Sequence, residues 1–292
     1  MYELVQAAEN TYYIDCPAKM GLYRVNDADV WLIDSGNDKE AGKKVQKILN
    51  ANGWTLKAII NTHSNADHIG GNHLLQDRTG CAVYAPGIEA AFTRAPILEP
   101  SFLYGGYPCK ALRNKFLMAQ PSDARDLSEL ELPAGMEIFP LKGHFFDMIG
   151  VRTPDDVYFL ADCFSGVNII EKYHLSFVYD VAEHLKTLDL VERLQGTFFV
   201  PAHSEATADV RPAVQANRRK VLEILDTLTE ICRQPLPGEE ILKAVFDHYG
   251  LQMDFDQYVL VGSTVRSYLS YLADTGRLRA QCQENRLLWT AV

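Results

Sequence analysis

The sequence predicts an α/β fold followed by a small α+β unit at its C-terminal end. Between residues 28 and 205, short apolar runs typical of buried strands alternate with segments of helical periodicity. After residue 206 this alternation stops, and three helical segments precede two short runs that indicate a hairpin. We therefore expect a first domain at 1–205, with an inserted subregion at 92–128, and a second domain at 206–292.

The alternating elements can be assigned in order from the first apolar run. "ADVWLIDSG" (28–36) predicts a strand that ends in a glycine turn, and "KEAGKKVQKILNANG" (39–53) predicts an amphipathic helix. "LKAIINT" (56–62) predicts the next strand, which leads directly into "THSNADHIGGN". Further strands are expected at 81–86, 136–144, 148–154, 157–164 and 197–205, and helices at 72–80 and around 181–194.

Composition narrows the class of protein. The chain has 292 residues, 47% of them hydrophobic and 23% charged, which is ordinary for a soluble globular protein. Its net charge of −10 argues against general binding of nucleic acid or of anionic membranes. The six cysteines are scattered without a C-x-x-C pair, and we find neither a signal peptide nor a 20-residue apolar run. We expect a cytoplasmic protein that does not enter the membrane.

Polar side chains cluster at the ends of four predicted strands. These candidates are His63, Asn65, Asp67, His68, His144, Asp162 and His203. A single such histidine is usually a buried polar group with its hydrogen bonds satisfied. Strand ends meet at one rim in layered α/β folds, however, and imidazole and carboxylate groups suit zinc, iron and manganese. Four clusters in the same local context therefore predict a metal site.

The same residues carry a family resemblance. "THSNADHIGGN", "KGHFFDMIG", "FLADCFSG" and "VPAHSE" occur in the order of the successive motifs of the metallo-β-lactamase superfamily, and "LIDSG" resembles its early strand. The resemblance covers about residues 5–205. It implies a four-layer αββα sandwich with a metal site at one edge of its two sheets, and it says little about the substrate.

The resemblance also implies roles for the polar residues. They would form two metal positions: His63, Asn65 and His144 at the first, Asp67, His68 and His203 at the second, with Asp162 bridging both. The family's reaction is attack by metal-bound hydroxide, and Asp67 would be catalytic by orienting that nucleophile. The cofactor is one or two divalent ions; we expect zinc, with iron or manganese as alternatives.

Asn65 departs from the family pattern, because another histidine is expected at that position. Its amide oxygen could ligate weakly or through a water. Alternatively, a single ion could bind at Asp67, His68, Asp162 and His203, or the centre could be degenerate and non-catalytic. An amide oxygen suits manganese or iron better than zinc. Nearby, Asp34 is expected to support a ligand by hydrogen bonding rather than to bind metal.

Candidate substrate-binding residues come mainly from the inserted subregion, which is rich in aromatic and cationic side chains. They are Tyr104, Tyr107, Lys110, Arg113 and Lys115, with His174 as a candidate from a later segment. A cationic, aromatic loop over a metal site would suit a small anionic substrate. A solvated surface loop is the alternative interpretation of each residue.

The tail after residue 206 has the element order of a winged helix. Its recognition helix would lie at about 256–274, where Arg266 is the one cation, and residues 205–292 hold ten Lys/Arg against twelve Asp/Glu. A domain that meets phosphates should be basic, so we expect a structural tail, or one that forms a homodimer.

The function expected from all of this is a metal-dependent hydrolase. Its substrate would be an ester, thioester, amide or phosphoester of a small, anionic molecule, with a thioester or small ester favoured over a β-lactam. The alternative is a non-catalytic or weakly catalytic metal-binding regulator whose winged helix binds DNA or a protein partner.

Overall fold

The computed structural model describes residues 2–292 and contains two facing β-sheets. The larger sheet has seven strands in sequential order: β1 Glu3–Gln6, β2 Thr11–Asp15, β3 Met20–Arg24, β4 Asp29–Ile33, β5 Thr55–Ile60, β6 Ala82–Ala85 and β7 Ala124–Asp126. Strands β1–β4 are antiparallel, and β4–β7 are parallel. The second sheet has the order β11-β10-β9-β8: β8 Glu137–Pro140, β9 Ile149–Arg152, β10 Val157–Ala161 and β11 Phe198–Pro201.

Helices cover the outer face of each sheet. The α-helices of residues 2–292 are α1 Lys39–Asn52, α2 Ala66–Ile69, α3 Asn72–Thr79, α4 Glu89–Arg94, α5 Leu98–Tyr104, α6 Val167–Tyr173, α7 Val181–Glu192, α8 Arg211–Ile231, α9 Gly238–Tyr249 and α10 Phe255–Asp274. One apolar cluster joins the larger sheet to α1 and α3, and another joins the smaller sheet to α7 and α8. A third fills the space between the sheets, so the predicted αββα layering is confirmed.

Helix α1 shows how local sequence sets these boundaries. The carboxylate of Asp38 accepts hydrogen bonds from the amides of Glu40 and Ala41, which caps the first turn. Gly53 ends the helix with φ +68°, a left-handed conformation that costs glycine little. Val45 and Leu49 lie on the buried face, as the periodicity predicts.

Several boundaries differ from the sequence prediction. The strand expected at 136–144 ends at Pro140, so His144 lies on a loop four residues further on. Strands β1–β3 were not predicted. Within the subregion expected at 92–128, β7 belongs to the larger sheet, and α4 begins before it at Glu89. Strand β7 escaped prediction because its three residues, Ala-Arg-Asp, contain no apolar run.

The tail contains the predicted helices and hairpin, and in addition a two-residue strand that pairs with the second strand of the hairpin. Strands β12 Leu236–Pro237, β13 Leu278–Gln283 and β14 Arg286–Ala291 form a third sheet in the order β12-β14-β13. The apolar residues of α8, α9 and α10 share one core with residues 175–181 of the preceding part. The tail therefore packs directly against the first part of the chain through a shared apolar core. The domain boundary at 205/206 stays a prediction.

Nothing in the described part of the chain, residues 2–292, is a helix with enough length and apolarity to cross a bilayer. The cytoplasmic location stays a prediction.

Candidate metal centre and active site

The rim of the two sheets gathers all the ligand-type side chains that the sequence singles out. Donor atoms of Asp67, His68, Asp162 and His203 lie within 4.8 Å of one another. Those of His63, His144 and Asp162 form a second group within the same limit. Because Asp162 belongs to both groups, the two groups are adjacent, as the resemblance implied.

Each of the four imidazoles has its Nδ1 atom tied to a fixed partner. The contacts are His63 Nδ1 to Thr62 Oγ1 (3.0 Å), His68 Nδ1 to Asp34 Oδ2 (2.8 Å), His144 Nδ1 to the Phe177 carbonyl (2.9 Å) and His203 Nδ1 to the Pro17 carbonyl (3.0 Å). A carboxylate or a carbonyl oxygen can only accept, so His68, His144 and His203 carry a proton on Nδ1. The Nε2 atoms of all four rings are thereby directed to the centre.

Asp34 controls two of these rings at once. Its carboxylate accepts the Thr62 amide (2.8 Å), the Thr62 hydroxyl (2.7 Å) and Nδ1–H of His68. Since the Thr62 hydroxyl proton points to Asp34, its oxygen is left to accept Nδ1–H of His63. Asp34 has φ +60°, an uncommon backbone conformation just beyond β4. It has the supporting position that the sequence predicted.

Asp162 is the carboxylate around which the Nε2 atoms converge. His68 Nε2 lies 3.0 Å from one oxygen, and His203 Nε2 and His144 Nε2 lie 3.1 and 3.6 Å from the other. The preceding residue, Ala161, has φ +49° at the end of β10. Non-glycine residues rarely adopt this backbone conformation, and Ala161 adopts it directly before Asp162, the residue shared by both donor groups.

The electrostatics of the centre favour a cation. Burial alone would raise the pKa of Asp162, but His203 and His68 hold it well below its usual range. Burial would likewise lower the pKa of His203, yet Asp162 and Asp67 raise it to about 10. Burial and the neighbouring His68 lower the pKa of His63 well below its ordinary value. Without a metal, the carboxylates therefore retain protons on His68 and His203, where a cation would otherwise be bound.

The residues fit a divalent metal. Nε2 of His63 is buried without a hydrogen-bond partner among residues 2–292, and Nε2 of His68 and Oδ1 of Asp162 face each other at 3.0 Å. Donors that share one ion at ~2.0–2.2 Å lie roughly 3–3.5 Å apart. Two of the separations around Asp162, 3.0 and 3.1 Å, fall in that range, and the third, 3.6 Å, lies just above it. A buried lone pair with no proton donor, such as that of His63 Nε2, is what a metal would satisfy.

Asn65 lies at the edge of the first donor group. Its Oδ1 is 3.0 Å from His144 Nε2, and its Nδ2 donates to Glu99 Oε1 at 2.7 Å. Burial raises the pKa of Glu99 well above its usual range, and the hydrogen bond from Asn65 opposes that shift. Asn65 also occupies the N-cap position of α2 without a capping hydrogen bond from its side chain, so its backbone position is set by the start of that helix. The amide oxygen thus faces His144 of the first donor group, and its role as a ligand stays a prediction.

Two glycines allow the ligand loops to approach their neighbours. A Cβ atom on Gly70 would lie 2.3 Å from the carbonyl carbon of Asn37. Gly143 has φ +118°, and a Cβ atom there would lie 2.2 Å from the backbone nitrogen of His184. Both contacts are shorter than any real Cβ contact, so only glycine permits this packing directly beside the ligand residues.

A cavity of about 360 Å³ opens above the donor groups. Its floor includes Asn65, Asp67, His144, Asp162 and His203, and its walls are Pro17, Ala18, Asn37, Glu99, Lys115, Phe116, Leu117, Phe177 and Leu260. Glu99, Phe177 and Leu260 were not predicted as site residues. No local pattern distinguishes a buried glutamate from an exposed one, and the two apolar residues resemble ordinary core positions.

Of the six predicted substrate-binding residues, the structure brings only Lys115 into the cavity lining. Tyr104 packs against Phe255, and Arg113 lies over the ring of Tyr107 on the surface. His174 stacks on Tyr249 with ring centroids 4.6 Å apart, and Lys110 is exposed. Composition indicated an interacting loop but could not show which way its side chains point, because α5 and the turns after it decide that.

Comparison with known proteins defines the class. The family model described as the metallo-beta-lactamase superfamily matches residues 13–203. With the four-layer fold and the shared-carboxylate donor set, this match shows that the chain belongs to that superfamily.

The individual relatives agree with this assignment. The chain is 42% identical over 64 residues to a hydroxyacylglutathione hydrolase of Bradyrhizobium sp. (strain ORS 278), covering 22% of this chain and 25% of the relative. A hydroxyacylglutathione hydrolase of Methylococcus capsulatus (strain ATCC 33009 / NCIMB 11132 / Bath) is 39% identical over 62 residues, covering 18% and 24%. The matched segments thus span about a quarter of these curated relatives.

Two solved structures resemble nearly the whole chain. A beta-lactamase domain protein from Burkholderia ambifaria superposes with TM-score 0.75 at 17% identity, covering 99% of this chain and 94% of its own. A metallo-beta-lactamase family protein from Thermus thermophilus gives TM-score 0.73 at 16% identity, covering 97% and 99%. At these identities the likeness shows the fold, and it extends over the C-terminal unit.

Proposed function

We propose that this protein is a metal-dependent hydrolase that cleaves the ester or thioester bond of a small anionic substrate. The observation that carries the proposal is the pair of donor groups that share Asp162, which lines the cavity together with His144 and His203. Such a pair suits one or two divalent ions. Membership of the superfamily supports hydrolysis in general, and the ester or thioester preference is our inference.

The metal would supply Lewis acidity: when bound, it lowers the pKa of water and withdraws charge from the scissile carbonyl. The protein orients the reactants around it. Asp67 Oδ2 lies 3.2 Å from His203 Nε2, and its side chain is 39% exposed to the cavity. A carboxylate in that position can accept a hydrogen bond from an attacking water and orient it, so we assign Asp67 the catalytic role.

The walls of the cavity support an acyl compound with a negative charge. Phe116, Leu117, Phe177 and Leu260 provide apolar surface, and Lys115 provides a cation at the rim. The Lys115 amine contacts Asp38 at 3.1 Å but keeps most of its surface exposed, so it remains accessible to an anion. The relatives named hydroxyacylglutathione hydrolase support hydrolysis of an acyl group.

The position of α10 supports a structural role for the tail rather than nucleic-acid binding. This helix occupies the recognition position of a winged helix, yet its Val259, Val261 and Val265 are buried against the rest of the protein. Leu260 lines the cavity. A helix that packs in this way does not present a free face to a DNA groove. A homodimer through this unit stays a prediction, which light scattering would test.

The test is hydrolysis by the zinc-reconstituted protein of four probes: a hydroxyacyl thioester of glutathione, p-nitrophenyl acetate, a β-lactam and bis-p-nitrophenyl phosphate. We expect the thioester or the ester to give the highest kcat/KM, activity to be lost on chelation, and zinc to restore it. Asp67→Asn should abolish turnover, whereas Asp77→Asn, on the exposed face of α3, should not. Fastest cleavage of the phosphodiester, or no turnover of any probe, would refute the proposal.

A further inference from the structure

The amide of Asn65 is held between two buried groups that belong to distant parts of the chain. On one side its Nδ2 donates to Oε1 of Glu99 at 2.7 Å. On the other side its Oδ1 lies 3.0 Å from Nε2 of His144. Glu99 lies on α5, is 4% exposed and contributes to the cavity wall. A buried carboxylate beside a ligand position needs a reason, since isolated burial of such a group is costly.

Hydrogen-bonding chemistry fixes which way the amide points. In the structure the Nδ2 group of Asn65 donates to Oε1 of Glu99, which leaves the amide oxygen facing His144. His144 donates its Nδ1–H to the Phe177 carbonyl, so its Nε2 presents a lone pair. Two acceptor atoms therefore face each other at 3.0 Å. That arrangement is unfavourable unless a cation lies near both of them.

We propose that Glu99 is a positioning residue that makes the amide oxygen of Asn65 a metal ligand, in the position where the superfamily has an imidazole. The hydrogen bond holds one rotamer of Asn65. By drawing on the amide N–H, it also increases the negative charge on Oδ1, as linked hydrogen bonds do. This inference rests on the proposed function only in that it concerns the same metal centre; no element of the reaction is needed for it.

The inference explains why a short side chain suffices at residue 65. A neutral amide oxygen is a weak ligand for zinc, and a freely rotating amide would present nitrogen as often as oxygen. Partners that orient a metal ligand typically change metal affinity by roughly 10–100-fold when they are removed. The carboxylate of Glu99 would supply the orientation that the backbone carbonyls and Asp34 supply to the histidines.

The experiment measures zinc binding, not turnover. Wild type, Glu99→Leu, Glu99→Gln and Asn65→His are stripped of metal and titrated with Zn²⁺ against a chromophoric chelator, and the zinc retained per chain is counted by elemental mass spectrometry. We expect two equivalents for wild type. In Glu99→Leu the weaker of the two sites should lose roughly 10–100-fold in affinity. Glu99→Gln keeps an acceptor oxygen, so it should lose only a few-fold.

A double variant separates positioning from a general structural effect. In Asn65→His the imidazole does not depend on the carboxylate, so adding Glu99→Leu to it should change zinc affinity less than about threefold. If Glu99 merely supported the fold, its removal would weaken zinc equally in both backgrounds. Ser101→Ala, on the same helix with its hydroxyl donating to the Ile97 carbonyl, controls for disturbance of α5. Circular dichroism and melting confirm that each variant is folded.

Three outcomes would overturn the inference: a single zinc in wild type at saturating metal, Glu99→Leu with wild-type affinity, or equal losses in both backgrounds. If Glu99→Leu does not fold, the effect of Glu99→Gln in the wild-type and Asn65→His backgrounds gives the same test. Two tightly bound zinc ions with no hydrolysis of any probe would refute the proposed function and leave this inference standing.

Discussion

Asp34 offers the sharpest test of how this centre is built. Replacing it by asparagine preserves size and the tolerance of φ +60°, since asparagine adopts left-handed conformations more readily than most residues. The amide oxygen can still accept the Thr62 amide. The new NH₂ group, however, replaces the oxygen that accepted both the Thr62 hydroxyl and His68 Nδ1–H. The new NH₂ group and Nδ1–H of His68, which are both donors, would then face each other.

The size of the effect follows from those contacts. To avoid the clash, His68 must move its proton to Nε2, the atom that faces Asp162, and a protonated Nε2 cannot bind a metal. The Thr62 hydroxyl can turn to donate to His63, which would switch the tautomer of that ring as well. A hydrogen bond to a charged group contributes about 1.5–3 kcal/mol. At about 1.4 kcal/mol per factor of ten, Asp34→Asn should weaken metal binding by roughly 10–100-fold.

Competition with a chromophoric chelator would measure this change in zinc affinity. Asp29→Asn, which alters a partly exposed carboxylate at the start of β4, is the matched control and should bind zinc like wild type. Far-ultraviolet circular dichroism at equal concentration checks that both variants are folded. An Asp34→Asn protein with zinc affinity within about twofold of wild type would contradict the view that this carboxylate sets the tautomers of the ligand histidines.

Three other predictions concern the rim, the loops and pH. Lys115→Met should raise KM for an anionic substrate by roughly 3–10-fold with kcat nearly unchanged, because a largely exposed ion pair contributes only about 1 kcal/mol. The control Lys110→Met should leave both constants unchanged, and equal effects of the two variants would contradict the assignment of Lys115 to substrate binding. Gly143→Ala should lower the free energy of unfolding by roughly 2–5 kcal/mol, because the added Cβ would lie 2.2 Å from the His184 backbone nitrogen at a residue with φ +118°. The control Gly53→Ala, at φ +68° with nothing within 4 Å of the added Cβ, should cost about 1 kcal/mol in the same urea titration. The pKa of His203 is raised from 6.5 to about 10, so in metal-free protein its proton stabilises the fold fully below pH 6.5, and this contribution is lost as the pH rises through about 10. The urea midpoint should therefore fall more between about pH 7 and 10 without zinc than with zinc, and parallel curves would contradict this.

The substrate side of the site was the least predictable part. Lys115 lines the cavity, and the other predicted contact residues lie elsewhere. In a loop without regular periodicity, the sequence does not define which side chains share a face. Leu260 reaches the cavity only because α10 of the tail packs against α5 and α7. A wall made from residues so far apart in the chain is decided by packing between elements.

The sequence by itself determined the layered fold, the superfamily and the metal-ligating residue types, because strand ends and motif order are local features. The contact between Asn65 and Glu99 is an example of what these local features do not determine. The sequence showed that a histidine was missing at residue 65, but it could not show that an acidic residue 34 positions later presents a buried oxygen to the amide. Only the tertiary structure decided that contact, since it depends on α5 lying against the ligand loop, and burial of a charged group is a property of the assembled core.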